Sequence, residues 1–227
     1  MKKFAIIVAG GSGTRLGGDL PKQFMPLGLQ PLLLFSLKAF HQAGAEIILA
    51  LPEIHIATWQ KMLSDHNIDI PHIIVAGGKE RFHSVQNALH AITDNEGIIA
   101  VHDAARPFVS QNLIESIFQQ ADICGGAIPI LPVKESIRKK VSEKAFSAED
   151  RSLYFTVQTP QAFKVNLLKE AYLQPYSSLF TDDASVFEKA GFTIDFVPGE
   201  ERNFKVTTPH DFAYAQYLVE KEAVSIK

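Results

Sequence analysis

Residues 6–22 read IIVAGGSGTRLGGDLPK, and the reading of this stretch decides the fold. It opens as a short apolar strand and breaks into a glycine-rich loop. Glycines at 10, 11, 13, 17 and 18 let the backbone turn through positive φ and approach a ligand closely. Successive N–H groups in such a turn form a concave nest that suits phosphate. Arg15 and Lys22 bring full charge to the same place, the first as a planar fork and the second as a point charge. The expectation is a polyphosphate cradle; on these residues alone the alternative is a flexible loop with two solvated cations. The loop is not a Walker A motif, because no Gly-Lys-Ser/Thr follows at the required spacing. Nor is it the dinucleotide fingerprint: Gly11 and Gly13 match its first two glycines, but position 16 is Leu.

Outward from the loop, short apolar runs alternate with helix-length amphipathic segments. Strands are expected at 3–9, 46–51, 72–76, 97–102, 124–130 and 192–197. Helices are expected at 31–43, 55–66, 80–92, 110–121 and 164–174, with two more opened by Thr181-Asp182-Asp183 and by Thr208-Pro209-His210-Asp211. Near-continuous apolar strands suit a sheet covered on both faces. The fold class is therefore α/β: a doubly wound, mostly parallel, Rossmann-like sheet whose ligands sit at the carboxyl ends of the strands. The glycine loop, Gly77-Gly78 and Asp103 all fall at that address. From Leu131 to about residue 158 the pattern turns polar, and an excursion is expected there, a protruding β-hairpin arm on a single domain spanning 1–227. A lone two-stranded hairpin is marginal in water, so the arm calls for a partner surface, and a second subunit would supply one.

The composition restricts the classes of function. At 227 residues, 46% hydrophobic and 21% charged, the chain has the make-up of a globular protein, and its formal net charge of −3 speaks against a nucleic-acid binder. The single cysteine, Cys124, excludes an internal disulfide and suits a reducing cytoplasm; ahead of two glycines in an apolar run it reads as a small core residue. The apolar run near the N-terminus is too short for a signal peptide, and no run approaches a membrane span. The histidines show no paired metal-ligand spacing, so no zinc site is expected.

Three further stretches carry chemistry. In VHDAARP (101–107), Asp103 comes straight off a strand. It is the candidate to hold Mg²⁺ against a triphosphate, since that ion takes one or two carboxylates plus phosphate oxygens; a loop hydrogen bond is the plainer alternative. Arg106 lies within reach of an anionic substrate, and His102 reads as structural. In GGKERFHSV (77–85), Gly78 and Ser84 are candidates to read a base edge, and Arg81 either binds anion or is solvated. Lys205 in NFKVTTP (203–209) precedes the last helix, where a strand end could bring it over the cradle; taken alone it reads better as a surface lysine.

Taken in order, AGGSGTRL with PKQ, GGKERFHS, VHDAARP, DRS, QTPQAF, TDDAS and NFKVTTP resemble the 2-C-methyl-D-erythritol 4-phosphate cytidylyltransferases along essentially the whole chain. The resemblance implies transfer of CMP from CTP to methylerythritol phosphate in non-mevalonate isoprenoid synthesis, by a Mg²⁺-dependent homodimer whose arms cross into the partner's site. It assigns Arg15 and Lys22 to transition-state stabilisation, and Ala9, Gly10, Gly11, Gly78, Ser84 and Ala104 to the nucleotide. Asp103 takes metal and substrate; Arg151 and Lys205 position the acceptor; Arg106, Thr159 and Thr181 make further substrate contacts. Ser136 stands where Thr is common and keeps the hydroxyl, Lys79 stands where an acid is frequent, and Phe155 replaces a frequent Trp. The rival readings are a ribitol-5-phosphate cytidylyltransferase of the same fold and a non-catalytic nucleotide-binding regulator.

Overall fold

The computed structural model describes residues 1–10 and 21–225. Gly11, Arg15 and the glycines at 13, 17 and 18 therefore lie outside the described residues. The first strand, β1 (Lys3–Val8), is followed by two short strands, β2 (Pro26–Leu27) and β3 (Gln30–Pro31), which pair with each other. Then come α1 (Leu32–Gln42), β4 (Glu46–Leu51), α2 (Glu53–Asp65), β5 (His72–Ala76), α3 (Arg81–His90), β6 (Ile98–Asp103), α4 (Gln111–Cys124) and β7 (Gly126–Pro132). The second half holds β8 (Ile137–Ser142), β9 (Ala145–Glu149), β10 (Phe155–Val157), β11 (Gln161–Lys164), α5 (Val165–Ala171), α6 (Asp183–Lys189), β12 (Asp195–Pro198) and α7 (Pro209–Ser225).

The main sheet runs β10-β7-β11-β6-β1-β4-β5, with β12 also pairing β7. β6, β1, β4 and β5 are parallel. β11 enters antiparallel between β6 and β7, a return that the apolar pattern of 158–163 did not mark as a strand. Alternation along β1 explains why both faces are covered. Ala5 and Ile7 join the cluster under α1, α2 and α4, which includes Trp59 and Phe118. Phe4, Ile6 and Val8 join the opposite cluster with Val85, Leu168 and Phe187, under α3, α5 and α6. At about 25 cal/mol per Å² of apolar surface removed from water, such two-sided burial is what fixes the register.

Helix boundaries follow local chemistry. Ser110 caps α4, its hydroxyl accepting from the Leu113 N–H at 3.0 Å. Asp182 caps α6 in a reciprocal box with Ser185, and Gly191 after it takes φ +92°, open to glycine without a Cβ clash. At α7 the Thr208 hydroxyl accepts from the Asp211 N–H at 3.2 Å, while Asp211 accepts from the Thr207 and Thr208 amides at 2.8 and 2.7 Å.

Two expectations need correction. α4 continues through Cys124, which places that side chain at an exposed helix end against Asp195 rather than in the core; the Asp195 hydrogen bond pushes its thiol pKa up. The polar excursion is also shorter than 131–158, because Leu131–Pro132 and Phe155–Val157 pair with each other in the main sheet. Within it, β8 and β9 pair only with each other among the described strands.

Candidate functional site

The carboxyl ends of β1 and β6 meet where Val8 pairs with Asp103. A cavity of about 300 Å³ opens there, lined by Ala9, Gly10, Lys22, Gly78, Ser84, Ala104 and Lys205 as well as Asp103 and Arg81. A second cavity of about 290 Å³ shares Arg81, Asp103 and Lys205, and adds Arg106, Thr159 and Thr181. The two lie on either side of one carboxylate. Residues from seven separated stretches of sequence thus converge on a single strand end.

Asp103 is the hub. Its Oδ2 lies 2.7 Å from Lys205 Nζ and 4.0 Å from Arg106 Nε, and its Oδ1 accepts from Arg81 Nε at 3.3 Å. Burial alone would push this carboxyl up, but Arg81, Lys205 and Arg106 outweigh it and hold the group well below the usual carboxylate range. Arg81 is fixed from behind, where its two terminal nitrogens donate to Asp183 at 2.9 and 2.7 Å. Tyr172 donates to the same buried carboxylate at 2.6 Å. Arg81 is therefore neither solvated nor an open anion receptor, as the sequence reading had it; two carboxylates occupy its fork.

A second chain of bonds sets the other side of Asp103. The Asp103 N–H donates to Thr159 Oγ1 at 3.0 Å, and Thr159 Oγ1 lies 3.2 Å from His102 Nδ1. The Arg106 carbonyl, 3.1 Å from Nε2, can only accept, so in the neutral ring Nε2 carries the proton and Nδ1 accepts from the Thr159 hydroxyl. Burial lowers the His102 pKa to about 4, so the ring is neutral at pH 7. Thr159, expected to touch substrate, lines the second cavity, and its hydroxyl spans Asp103 and His102.

The remaining candidates divide. Lys22 Nζ donates to the Val206 carbonyl at 2.9 Å, at the cavity mouth beside Lys205. The Gly78 N–H donates to Ser84 Oγ at 3.0 Å, so these two base-reading candidates satisfy each other; the Ala9 and Ala104 amides are likewise taken by the Ala50 and Val8 carbonyls, at 2.9 and 3.0 Å. Thr181 is exposed at the edge of the second cavity. Ser136 and Arg151 are also exposed and border neither cavity; Arg151 donates to the Lys134 carbonyl. Sequence reasoning missed Asp183, Tyr172, Gln158 and Asn203. Asp183 looked like a first-turn helix acid, and nothing local marks a partner 102 residues away.

Among the described residues no group of three or more His, Cys, Asp or Glu could hold a metal by itself. Asp103, ionised and facing the cavity, is a donor of the kind Mg²⁺ accepts when phosphate and water complete its shell. No helix among the described residues is long and apolar enough to cross a membrane.

Residues 4–221 match the family model described as 2-C-methyl-D-erythritol 4-phosphate cytidylyltransferase. A protein of that name from Bacteroides fragilis is 43% identical over 221 residues, covering 96% of this chain and all of the relative. One from Bacillus velezensis is 35% identical, covering 98% of each chain. Among solved structures, that of the cytidylyltransferase from Thermus thermophilus aligns with a TM-score of 0.74 at 30% identity, over 95% of this chain and 98% of that one. The Francisella tularensis structure aligns at 0.79 and 29%, over 96% and 99%. With the family model matching residues 4–221 and a relative 43% identical over almost the whole chain, this protein belongs to the 2-C-methyl-D-erythritol 4-phosphate cytidylyltransferase family.

Proposed function

We propose that this enzyme transfers CMP from CTP to 2-C-methyl-D-erythritol 4-phosphate, giving 4-diphosphocytidyl-2-C-methyl-D-erythritol and pyrophosphate, in isoprenoid synthesis. The observation that carries the reading is the cation-clasped Asp103 between two cavities, one lined by Gly10 and Lys22 and one by Arg106 and Thr181. The first suits the nucleotide, and the second suits a phosphorylated polyol beside Arg106.

The acceptor phosphate has its second pKa near 6 and is mostly dianionic at pH 7; it needs no general base. One of its oxygens attacks the α-phosphorus of CTP, a P–O bond forms, and the bond to the β-phosphate oxygen breaks to release pyrophosphate. The obstacle is repulsion between anions. Lys22 and Lys205, with Arg15 from the glycine loop, offset it and stabilise the charge of the in-line transition state. Arg106 takes the acceptor, while Ala9, Gly10, Gly78, Ser84 and Ala104 form the wall against the nucleotide, and Gly11 is assigned to the nucleotide with them. A divalent cation held by Asp103 would neutralise triphosphate charge. The neutral His102 keeps Thr159 and the Arg106 backbone in place at working pH.

Ser136 and Arg151 act in this reading across a homodimer. Supporting it, the β8–β9 hairpin stands apart from the main sheet and exposes Val141 and Phe146, with Leu153 exposed just after it. An isolated two-stranded sheet of this kind gains stability when it is covered. The arm then belongs to one domain spanning the chain, and a cytoplasmic setting fits a single unpaired cysteine.

The test is pyrophosphate release from CTP and Mg²⁺ with methylerythritol phosphate, with ribitol 5-phosphate, or with no acceptor. Release with methylerythritol phosphate alone is expected. Release only with ribitol 5-phosphate would overturn the acceptor assignment. Binding of CTP with no release under any condition would favour a non-catalytic regulator.

A further inference from the structure

The segment between β12 and α7 delivers two groups to the site. Lys205 reaches Asp103, and the carbonyl of the next residue, Val206, receives Lys22 Nζ. This strap has no regular structure of its own, so something else must hold it. The Gln158 side chain, buried just beyond β10, does so with all four of its hydrogen-bonding positions. Its Nε2 donates to the carbonyls of Glu200 at 2.8 Å and Asn203 at 3.2 Å, and its Oε1 accepts from the Glu200 N–H at 3.1 Å and from Asn203 Nδ2 at 3.4 Å. Asn203, fully buried, also donates from Nδ2 to the Thr159 carbonyl at 2.8 Å, and its own carbonyl accepts from Arg106 Nη1 at 2.8 Å. A Cβ at Gly199 would fall 2.7 Å from Gln158 Oε1, so any larger residue there would push this amide aside. Asn203 Oδ1 takes no partner among the described residues. An orphaned buried acceptor opposes stability, which argues that this amide is placed for what it positions.

We propose that Gln158 and Asn203 are positioning residues: they clamp the 199–206 strap and thereby set Lys205 against Asp103 for CMP transfer. The inference rests on the function proposed above for its kinetic consequence, but not for its structural one. Misplacing a charged group by about an ångström is enough to cost up to about a hundredfold in rate.

The test uses Gln158→Leu, which keeps most of the volume and removes all four bonds. The expected result is a fall in kcat of about tenfold or more, together with several-fold faster labelling of Lys205 by an amine-reactive ester, read by peptide mass spectrometry against Lys61. In a Lys205→Ala background the same substitution should cost a much smaller factor, because the residue it acts through is gone. An unchanged kcat with unchanged Lys205 labelling overturns the proposal, as does an equal factor in both backgrounds. If the wild-type enzyme transfers CMP to no acceptor, the function fails, while the labelling still decides the clamp. Should Gln158→Leu not fold, Asn203→Ser goes through the same measurements with the same deciding outcomes.

Discussion

The Asp103 cluster and the β8–β9 hairpin are both rich in charge, and they hold it in opposite ways. Around Asp103 each charge is cross-linked to a distant element: Arg81 to Asp183 of α6, Arg106 to the strap, Lys205 to β6. On the hairpin the pairs are local and wet. Lys140 meets Glu143 three residues on at 2.7 Å, with both side chains more than half exposed. Exposed pairs contribute little, about 0–1 kcal/mol, whereas breaking one partner of a buried pair costs roughly 3–5 kcal/mol. The first region is organised before substrate arrives; the second carries its charge in water, away from the main sheet.

The sharpest way to break this contrast is Lys22→Ala. It should lower kcat by about 10²-fold or more with the fold intact, as for loss of one preorganised donor; circular dichroism and steady-state kinetics on one preparation check both halves. Arg151→Ala, on the hairpin side, should chiefly raise KM for the acceptor and leave CTP binding unchanged by calorimetry. A change confined to CTP would mean that the hairpin does not serve the acceptor.

Next in size is a pH effect confined to the buried region. His102 has its pKa lowered to about 4 by burial, so between pH 6.5 and about 4 the unfolded chain binds the extra proton and the folded chain does not. Stability is then highest above pH 6.5 and falls as pH drops toward 4, by on the order of 3 kcal/mol. Urea midpoints across that range should show the slope, and His102→Gln should flatten it. The hairpin has no counterpart. Thr208→Ala, at the cap of α7, should cost about 1 kcal/mol, and Lys140→Ala no more than about 0.5 kcal/mol; equal losses from these two would remove the distinction between a built cap and a wet ion pair.

Much of the fold was legible because the strands state their environment. GIIAVH and EIILAL are apolar almost without interruption, and a doubly covered sheet uses such runs. The return strand β11 was not legible, since QTPQAF carries polar residues whose partners, Asp182 and the Ala184 N–H, lie about twenty residues on. In the site, Asp103 could be picked out from its address at a strand end and Lys22 from the glycine-rich stretch it closes, whereas Lys205 taken alone read as a surface lysine. Their supports could not: Asp183 under Arg81 and Gln158 under the strap are defined by contacts 102 and 45 residues away. Local sequence names a charged group that must be used, but it does not say which buried group holds it. Arg81 shows the cost, read as solvated or anion-binding when two carboxylates already claim it.

The most direct measurement is pyrophosphate release from CTP and methylerythritol phosphate by Asp103→Asn beside the wild type. The substitution keeps the shape of the hub and removes the charge that Arg81, Arg106 and Lys205 surround. The account predicts a loss of about 10²-fold or more in kcat, with the protein still folded and still binding CTP. An Asp103→Asn enzyme within about twofold of the wild-type rate would contradict it, and the chemistry would have to be sought away from this strand end.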